Sequence, residues 1–256
     1  MFFIALLIAG RPSTISVQAQ SSYWIATEGV MWPDPRIQIN IPSSPTILHD
    51  DLLQAMSVWN QALKWFESTY YPLDENYYRF IPSPNDAGVT VKAVDHIRCV
   101  SSPSNSTFTN ATVTPFSCTL YTYNWDNRYI ASAYVQIFSS QLTAANPKHL
   151  VDVISTLGIL LGLVEYSTPC PVADDLMCEH GSSAYPSTLD LYALHLLSNG
   201  KPATNVTLPN DMPYQQASIP TPEFDGTAVL LLVLTGCSAI ILARRKSRLV
   251  ERFERN

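Results

Sequence analysis

The chain has 256 residues, and 46% of them are hydrophobic, which is enough to bury a core and argues against a disordered chain. Residues 20–225 carry 8 Lys and Arg against 19 Asp and Glu, a net charge of −11. A domain this acidic repels nucleic acid and anionic lipid, so its composition argues against nucleic-acid binding.

The first predicted element is a signal peptide over residues 1–19. Phe2–Gly10 is apolar but too short to span a membrane, and Val17-Gln18-Ala19 resembles the small-x-Ala motif of a cleavage site. The basic residue that usually precedes the apolar stretch is missing. The N-terminus therefore predicts an exported protein.

Residues 20–198 are predicted to form one folded domain that mixes helices and strands. Apolar residues recur at steps of four and three from Leu52 to Phe66, which is typical of one buried face of a long helix. Two further helices are predicted over His149–Tyr166 and Ser187–Leu197.

Alternating or apolar runs between these helical patterns predict the strands. They are Arg36–Ile41, Tyr78–Ile81, Val89–Val94, Phe116–Tyr123 and Ile130–Phe138. Ser101–Pro115 is rich in Ser, Thr and Asn and is predicted to be an exposed loop. The order of elements predicts an α/β or α+β fold, with the long helices packed on one face of a sheet.

The cysteines and sequons of this domain are typical of an extracellular protein. An even number of cysteines favours two disulfides, and proximity in sequence favours Cys99–Cys118 and Cys170–Cys178 among the three possible pairings. Three Asn-x-Ser/Thr sequons offer glycosylation sites at Asn105, Asn110 and Asn205.

The C-terminal part of the chain predicts a membrane anchor. Residues 199–225 carry five prolines and are predicted to be an extended stalk. Residues 226–243 are an uncharged run that would span about 27 Å as a helix, close to the thickness of a thin hydrocarbon core. The basic tail, residues 244–256, is predicted to be cytoplasmic, which puts the domain outside the cell. A buried core helix that ends in a basic patch remains the alternative.

This ending also resembles archaeal surface-sorting signals, which combine a Pro-Glu-Phe motif, an apolar helix and a basic cluster. The matching motif residues here are Pro222, Glu223 and Phe224. The resemblance implies that a sortase-like membrane enzyme cuts near the motif and attaches the domain to a surface lipid. Without that processing, the apolar helix stays as a single-pass anchor.

A second resemblance concerns residues 155–165, which read STLGILLGLVE. This segment resembles the active-site helix of the metzincins, in particular the matrixins, whose pattern is His-Glu-x-x-His-x-x-Gly-x-x-His with a methionine turn downstream. Gly162 matches the glycine at which that helix ends, Gly158 matches a frequent matrixin glycine, and Met177 in Asp-Leu-Met matches the methionine turn. The resemblance covers about residues 32–198. It implies a twisted mixed sheet of about five strands, two long helices, and a C-terminal helix after the methionine turn.

The catalytic positions of that pattern are changed. The zinc ligands map to Ser155, Ile159 and Glu165, and the catalytic glutamate maps to Thr156. A catalytic zinc needs three protein ligands, and only Glu165 is a useful donor among these residues. The Thr156 hydroxyl is too weak a base to activate water near neutral pH. The resemblance therefore implies a domain with no zinc cofactor and no peptidase activity.

These features favour a catalytically inactive, matrixin-like surface domain that binds a peptide, protein or glycan, or that has a structural role in the cell envelope. In metzincins a peptide adds as a strand to the exposed sheet edge. The predicted edge here is Phe116–Tyr123, where Tyr121 and Tyr123 are candidate contacts. Two alternatives remain: a zinc metallopeptidase with unusual ligands, and an unrelated surface adhesion or structural domain whose helix mimics the motif.

Overall fold

The computed structural model describes residues 23–219, except residues 75, 85–86, 97–106, 125, 166–169, 171–173, 180, 182 and 202. The predicted signal peptide, the Pro-Glu-Phe motif, the apolar run and the basic tail lie outside the described residues, as do Cys99 and Asn105. Within the described part of the chain, no helix has both the length and the apolar character needed to cross a membrane.

The described residues form three α-helices and eight strands. The helices are α1 (Thr46–Tyr70), α2 (His149–Leu160) and α3 (Thr188–Ser198). The strands are β1 (Trp24–Ala26), β2 (Arg36–Asn40), β3 (Arg79–Pro82), β4 (Val89–Val94), β5 (Thr107–Val113), β6 (Ser117–Asn124), β7 (Ile130–Phe138) and β8 (Asn205–Thr207).

Six strands form one mixed sheet in the order β3-β2-β4-β7-β6-β5. The first four are parallel to their neighbours, whereas β6 and β5 continue the sheet antiparallel. Alternation places Ile37 and Ile39 of β2 in the core and leaves Arg36 and Gln38 exposed. The prediction of a mixed α/β or α+β fold is confirmed, although the main sheet has six strands rather than about five.

Helices α1 and α2 lie side by side on this sheet. Helix α1 packs against β3, helix α2 packs against β6, and the two helices pack against each other. The predicted apolar face of α1 is buried from Leu52 to Phe66, and Trp59 Nε1 donates a hydrogen bond to Ile154 O of α2 at 2.8 Å. Burial of this apolar face against the sheet and α2 holds α1 in place.

The sheet edge differs from the prediction. Residues 107–113 of the predicted loop form β5, which pairs along the whole of β6, so Phe116–Tyr123 is not an edge. Tyr121 is fully buried and Tyr123 is 8% exposed, which makes them core side chains rather than ligand contacts. The polar composition of β5 fits a strand at a sheet edge, and the same composition made it look like a loop.

The predicted stalk also needs correction, because residues 203–217 belong to the domain. Strand β8 pairs antiparallel with β1, and Leu208 and Met212 are buried. The Tyr214 hydroxyl donates to Asp175 Oδ2 at 2.8 Å, and Ala217 N donates to Pro186 O at 2.8 Å. One compact unit therefore ends at residue 217, and the rest of the chain, residues 218–256, forms a separate unit that lies almost entirely outside the described residues.

Candidate functional site

Helix α2 carries the positions that the resemblance singles out, and its end is set by Gly162. The helix stops at Leu160 rather than at the predicted Tyr166, and Gly162 then adopts a φ of 105°. Gly162 N donates to Ile159 O at 2.7 Å, and Leu163 N donates to Gly158 O at 3.1 Å, which satisfies two of the last helix carbonyls. A positive φ favours glycine here, because a side chain would be strained.

Met177 lies directly against α2 at Gly158. Met177 is fully buried, and a Cβ atom added to Gly158 would lie 2.7 Å from its sulphur and 2.8 Å from Cζ2 of Trp59. Asp175 holds the turn by accepting a hydrogen bond from Met177 N at 3.0 Å. A disulfide between Cys170 and Cys178 closes the segment around it. Gly158 thus lets the helix and the methionine-bearing turn approach each other.

The four mapped catalytic positions have different surroundings. Thr156 is 2% exposed, donates to Asp152 O at 2.8 Å, and lies 2.9 Å from Ser117 Oγ. Ile159 is fully buried, and its carbonyl accepts a hydrogen bond from the Tyr121 hydroxyl. Ser155 and Glu165 line a pocket with Thr156, whereas Ile159 does not. The structure therefore brings three of the four positions together.

This pocket has a volume of about 270 Å³ and is rich in carboxylates. We call it the acidic pocket, and its lining residues are Thr114, Pro115, Phe116, Gln141, Asp152, Ser155, Thr156, Glu165 and Glu179. Among the described residues, the lining includes three carboxylates and no Lys, Arg or His. Such a lining can attract a positively charged group, but it offers no imidazole for zinc binding.

The carboxylates of the acidic pocket interact unfavourably. Partial burial, followed by the nearby negative charges of Glu179 and Asp152, raises the pKa of Glu165 to about 7. Burial also raises the pKa of Asp152, against smaller opposing effects of a hydrogen bond with Asn146 and of the positive charge of Lys148. Near neutral pH, Glu165 therefore holds a proton part of the time, and a bound cation would favour its ionised form.

Ser155 adds a buried polar atom at the same place. The residue is 7% exposed, and no hydrogen-bond partner of its hydroxyl oxygen is present among the described residues. A buried hydroxyl without a partner costs free energy, which a ligand group in the pocket could recover.

A second group of titratable side chains lies where α1 ends, and shares no residue with the acidic pocket. We call it the Glu–Asp–His cluster; it consists of Glu67 of α1, Asp74 of the following loop and His195 of α3. His195 Nδ1 lies 3.0 Å from Glu67 Oε1 and 3.7 Å from Asp74 Oδ2. One ligand atom from each residue lies within 4.8 Å of the others, so the three could hold a metal ion.

Sequence analysis did not predict this cluster, because its members are far apart in the chain and form no motif. The available signal was Glu67, which follows Phe66 at the buried end of the α1 apolar face and is only 3% exposed. A carboxylate buried at such a position needs a partner, which pointed to a cation or a donor elsewhere in the fold.

Of the remaining predicted site residues, the two described sequon asparagines lie at the surface and Cys118 is buried. Asn110 and Asn205 are exposed, and Asn110 Nδ2 donates to Glu28 Oε2 at 2.7 Å. Cys118 is disulfide-bonded, and its predicted partner Cys99 lies outside the described residues.

Comparisons with known proteins give no further assignment. No model of a known protein family matches the chain, and no curated protein has a matching sequence.

Proposed function

We propose that this protein is a catalytically inactive, matrixin-like domain displayed outside the cell, and that its acidic pocket binds a positively charged group of an extracellular peptide or protein. The observation that carries the proposal is the composition of the acidic pocket. At the place where a matrixin would hold its zinc, the described lining residues offer carboxylates and hydroxyls and no imidazole.

The frame around the pocket supports the resemblance to matrixins. The helix ends before Gly162, the position of the glycine in the family pattern, and Met177 of the expected methionine turn lies against Gly158. The zinc positions differ in kind, because Ile159 is a core residue and Ser155 is a poor ligand beside an imidazole. A retained frame with changed ligands favours binding over hydrolysis.

The size and charge of the pocket suit a single cationic side chain. At about 270 Å³ it is smaller than the roughly 300–1,000 Å³ of pockets that take drug-sized ligands. Its three carboxylates, on a domain with 19 acidic and 8 basic residues, would attract a lysine or arginine and repel an anion.

The structure supports peptide binding at the predicted sheet edge less than the sequence did. Strand β5 already pairs with β6, so a peptide cannot add to Phe116–Tyr123 as it would in a metzincin. A ligand of the acidic pocket would instead approach over the turn between these strands, at Thr114–Phe116.

A metallopeptidase with unusual ligands would need donors that converge on Glu165. Among the described residues, the candidate metal ligands that converge on one another are Glu67, Asp74 and His195. None of these three lines the acidic pocket that contains Glu165. Within the described part of the chain, Glu165 and Ser155 have none of the nitrogen donors that catalytic zinc uses.

The binding experiment compares a fluorescent tetra-arginine peptide with its tetra-citrulline counterpart, which has nearly the same shape but no charge. We expect the full-length protein in mild detergent to bind the arginine peptide more tightly. The double substitution Glu165→Gln with Glu179→Gln should weaken that binding by about tenfold, because it removes two of the three carboxylates.

The matched control is Asp126→Asn, which also removes an exposed negative charge but lies outside the pocket. Equal binding of both peptides, or an equal loss in the control, would show that attraction is general rather than local to the pocket. Zinc-dependent cleavage of an unfolded protein substrate would contradict the inactive part of the proposal.

A further inference from the structure

The Glu–Asp–His cluster is not used by the proposed function, and its geometry approaches that of a metal site. The two distances measured from His195 Nδ1, 3.0 Å to Glu67 Oε1 and 3.7 Å to Asp74 Oδ2, bracket the separation of neighbouring ligands in a zinc site. That separation is about 3.3 Å for a tetrahedron with metal–ligand distances of about 2.0 Å. All three ligand atoms lie within 4.8 Å of one another, so side-chain movements of up to about 1.5 Å are needed to bring them onto one ion.

Glu67 provides a second, independent observation. Its side chain is 3% exposed, and its Oε2 atom is buried with no hydrogen-bond donor among the described residues. A buried carboxylate normally has its oxygens paired or bound to a metal, since leaving one unpaired costs free energy. Glu67 Oε1 already faces His195, so the carboxylate group points into the cluster. Its other oxygen, Oε2, has no hydrogen-bond partner among the described residues.

The side chains around the cluster fix its ligands in place. The Tyr71 ring stacks on the His195 ring, with a centroid distance of 3.7 Å and an angle of 14° between the planes. Asp74 accepts hydrogen bonds from Asn76 N and Asn199 Nδ2, both at 2.9 Å. Outer contacts of this kind orient metal ligands.

A route from solvent reaches the cluster through Asp74. Its side chain is 26% exposed and lines an open pocket of about 480 Å³, together with Tyr71, Pro72, Leu73 and Asn199. A metal ion could enter from this side and keep a water molecule as its fourth ligand.

We propose that Glu67, Asp74 and His195 bind one zinc ion, which joins the end of α1, the loop after it and α3. One imidazole and two carboxylates suit zinc, whereas calcium and magnesium prefer sites made wholly of oxygen ligands. An ion bound only by the folded chain stabilises it, and the stabilisation grows with the logarithm of the ion concentration.

This proposal does not depend on the proposed function, and it changes how zinc content should be interpreted. One zinc per chain would ordinarily point to an active matrixin. Here it would instead come from residues that are not at the positions of Ser155, Ile159 or Glu165. Zinc content alone therefore does not decide whether the protein is a peptidase.

The test uses the full-length chain in mild detergent, stripped with a chelator, loaded with zinc chloride and dialysed. We expect about one zinc per chain by elemental analysis, and a melting temperature that rises with zinc but not with calcium or magnesium. The metal-free alternative, a direct hydrogen bond between His195 and Glu67, predicts no retained zinc and no zinc-dependent shift.

Two variants locate the ion. Asp74→Asn changes a half-exposed loop residue, and His195→Gln replaces the imidazole by an amide; each should lower zinc affinity by about tenfold or more. Asp74→Asn should disturb the fold less than His195→Gln, because Asp74 is the more exposed of the two residues. Thermal unfolding without zinc verifies that the variant is folded. The matched control is His149→Gln, which removes another histidine paired with a carboxylate, Asp51, at 2.6 Å and should keep the zinc.

The outcomes separate this proposal from the proposed function. A folded wild-type chain that retains no zinc overturns the zinc site and leaves the inactive acidic pocket untouched. Zinc that survives Asp74→Asn and His195→Gln but is lost on Glu165→Gln lies in the acidic pocket, and it overturns both proposals.

Discussion

The acidic pocket and the Glu–Asp–His cluster are both rich in carboxylates, yet their physical character is opposite. In the acidic pocket, Asp152, Glu165 and Glu179 face a shared cavity whose described lining residues include no basic side chain, and burial and mutual repulsion raise the pKa of Glu165 to about 7. In the cluster, the carboxylates of Glu67 and Asp74 lie within 4 Å of a single imidazole nitrogen.

The comparison shows that the number of acidic residues does not decide what a site binds. Carboxylates that surround an open cavity repel each other and gain from an external cation. Carboxylates that converge on a nitrogen donor can share a proton or a metal ion and add to the stability of the fold. Neutralising one side chain should therefore have opposite effects in the two places.

The largest effect is expected for His195→Ala in the cluster. The substitution leaves the 3%-exposed Glu67 carboxylate without its partner and removes the ring stacked on Tyr71. We expect the free energy of unfolding to fall by about 3 kcal/mol, as for other buried pairs that lose one member. Urea unfolding at pH 7, followed by circular dichroism in the presence of chelator, measures it.

His149→Ala is the matched control for this loss, because it breaks a similar pair with Asp51 whose histidine side chain is 22% exposed. We expect about 1 kcal/mol there, since water replaces part of the interaction. If His195→Ala and His149→Ala lower the free energy of unfolding equally, burial adds nothing to the stability that the cluster provides. The contrast with the acidic pocket would then fail.

A smaller loss of stability is expected for a substitution in α2, the helix that contributes Ser155 and Thr156 to the acidic pocket. Gly158→Ala puts a methyl group 2.7 Å from the Met177 sulphur and 2.8 Å from Trp59 Cζ2, so these side chains must move. Overpacking of this kind costs about 1–3 kcal/mol, and the better helix propensity of alanine offsets up to about 1 kcal/mol of it. We expect a net loss of about 1–2 kcal/mol in the free energy of unfolding, measured as for His195→Ala.

Gly88→Ala provides the control, because the nearest atom to its added Cβ would be Trp32 Cζ3 at an ordinary 3.5 Å. Its effect should stay within about 0.5 kcal/mol. A neutral Gly158→Ala would show that Met177 does not pack tightly beneath the helix, and the support that this contact gives to the matrixin resemblance would be lost.

The sequence predicted the elements whose own residues determine them. Val89–Val94 and Ile130–Phe138 appear as strands with the predicted bounds, because their apolar side chains are buried in the middle of the sheet. Helix α3 starts one residue after the prediction, since Ser187 is its N-cap and forms a capping box with Asp190.

The parts that were missed depend on distant partners. Strand β8 has three residues, and it exists because β1, about 180 positions earlier, offers it a ladder. Strand β5 is polar because it lies at the sheet edge, so it lacks the apolar alternation that identifies a strand. Both errors arise because a local pattern carries no information about which strand lies beside it.

The candidate functional residues also divide into those that one segment of the sequence predicts and those that only the fold brings together. Ser155, Thr156 and Glu165 were chosen because their segment resembles the matrixin pattern, and the structure places them in one pocket. Glu179, which directly follows the disulfide-bonded Cys178, lines the same pocket but belongs to no such pattern. The Glu–Asp–His cluster has no local pattern at all, since it forms only when α1 and α3 pack together.

The smallest effect, and the one with the opposite sign, is expected for Glu165→Gln in the acidic pocket. The pKa of Glu165 is raised from 4.5 to about 7 in the folded protein, so the folded state holds a proton that the unfolded state has released. Stability is therefore lost as pH rises from about 4.5 to about 7, and glutamine removes that loss. Since the side chain is partly open to solvent, we expect a gain of only about 1 kcal/mol at pH 8, and none at pH 4. Urea unfolding at both pH values measures the difference. The control is the exposed Asp126→Asn, which should not change the stability at either pH. A loss of stability at pH 8 would mean that Glu165 has a cationic partner in the fold, and that the acidic pocket is not free to bind one from outside.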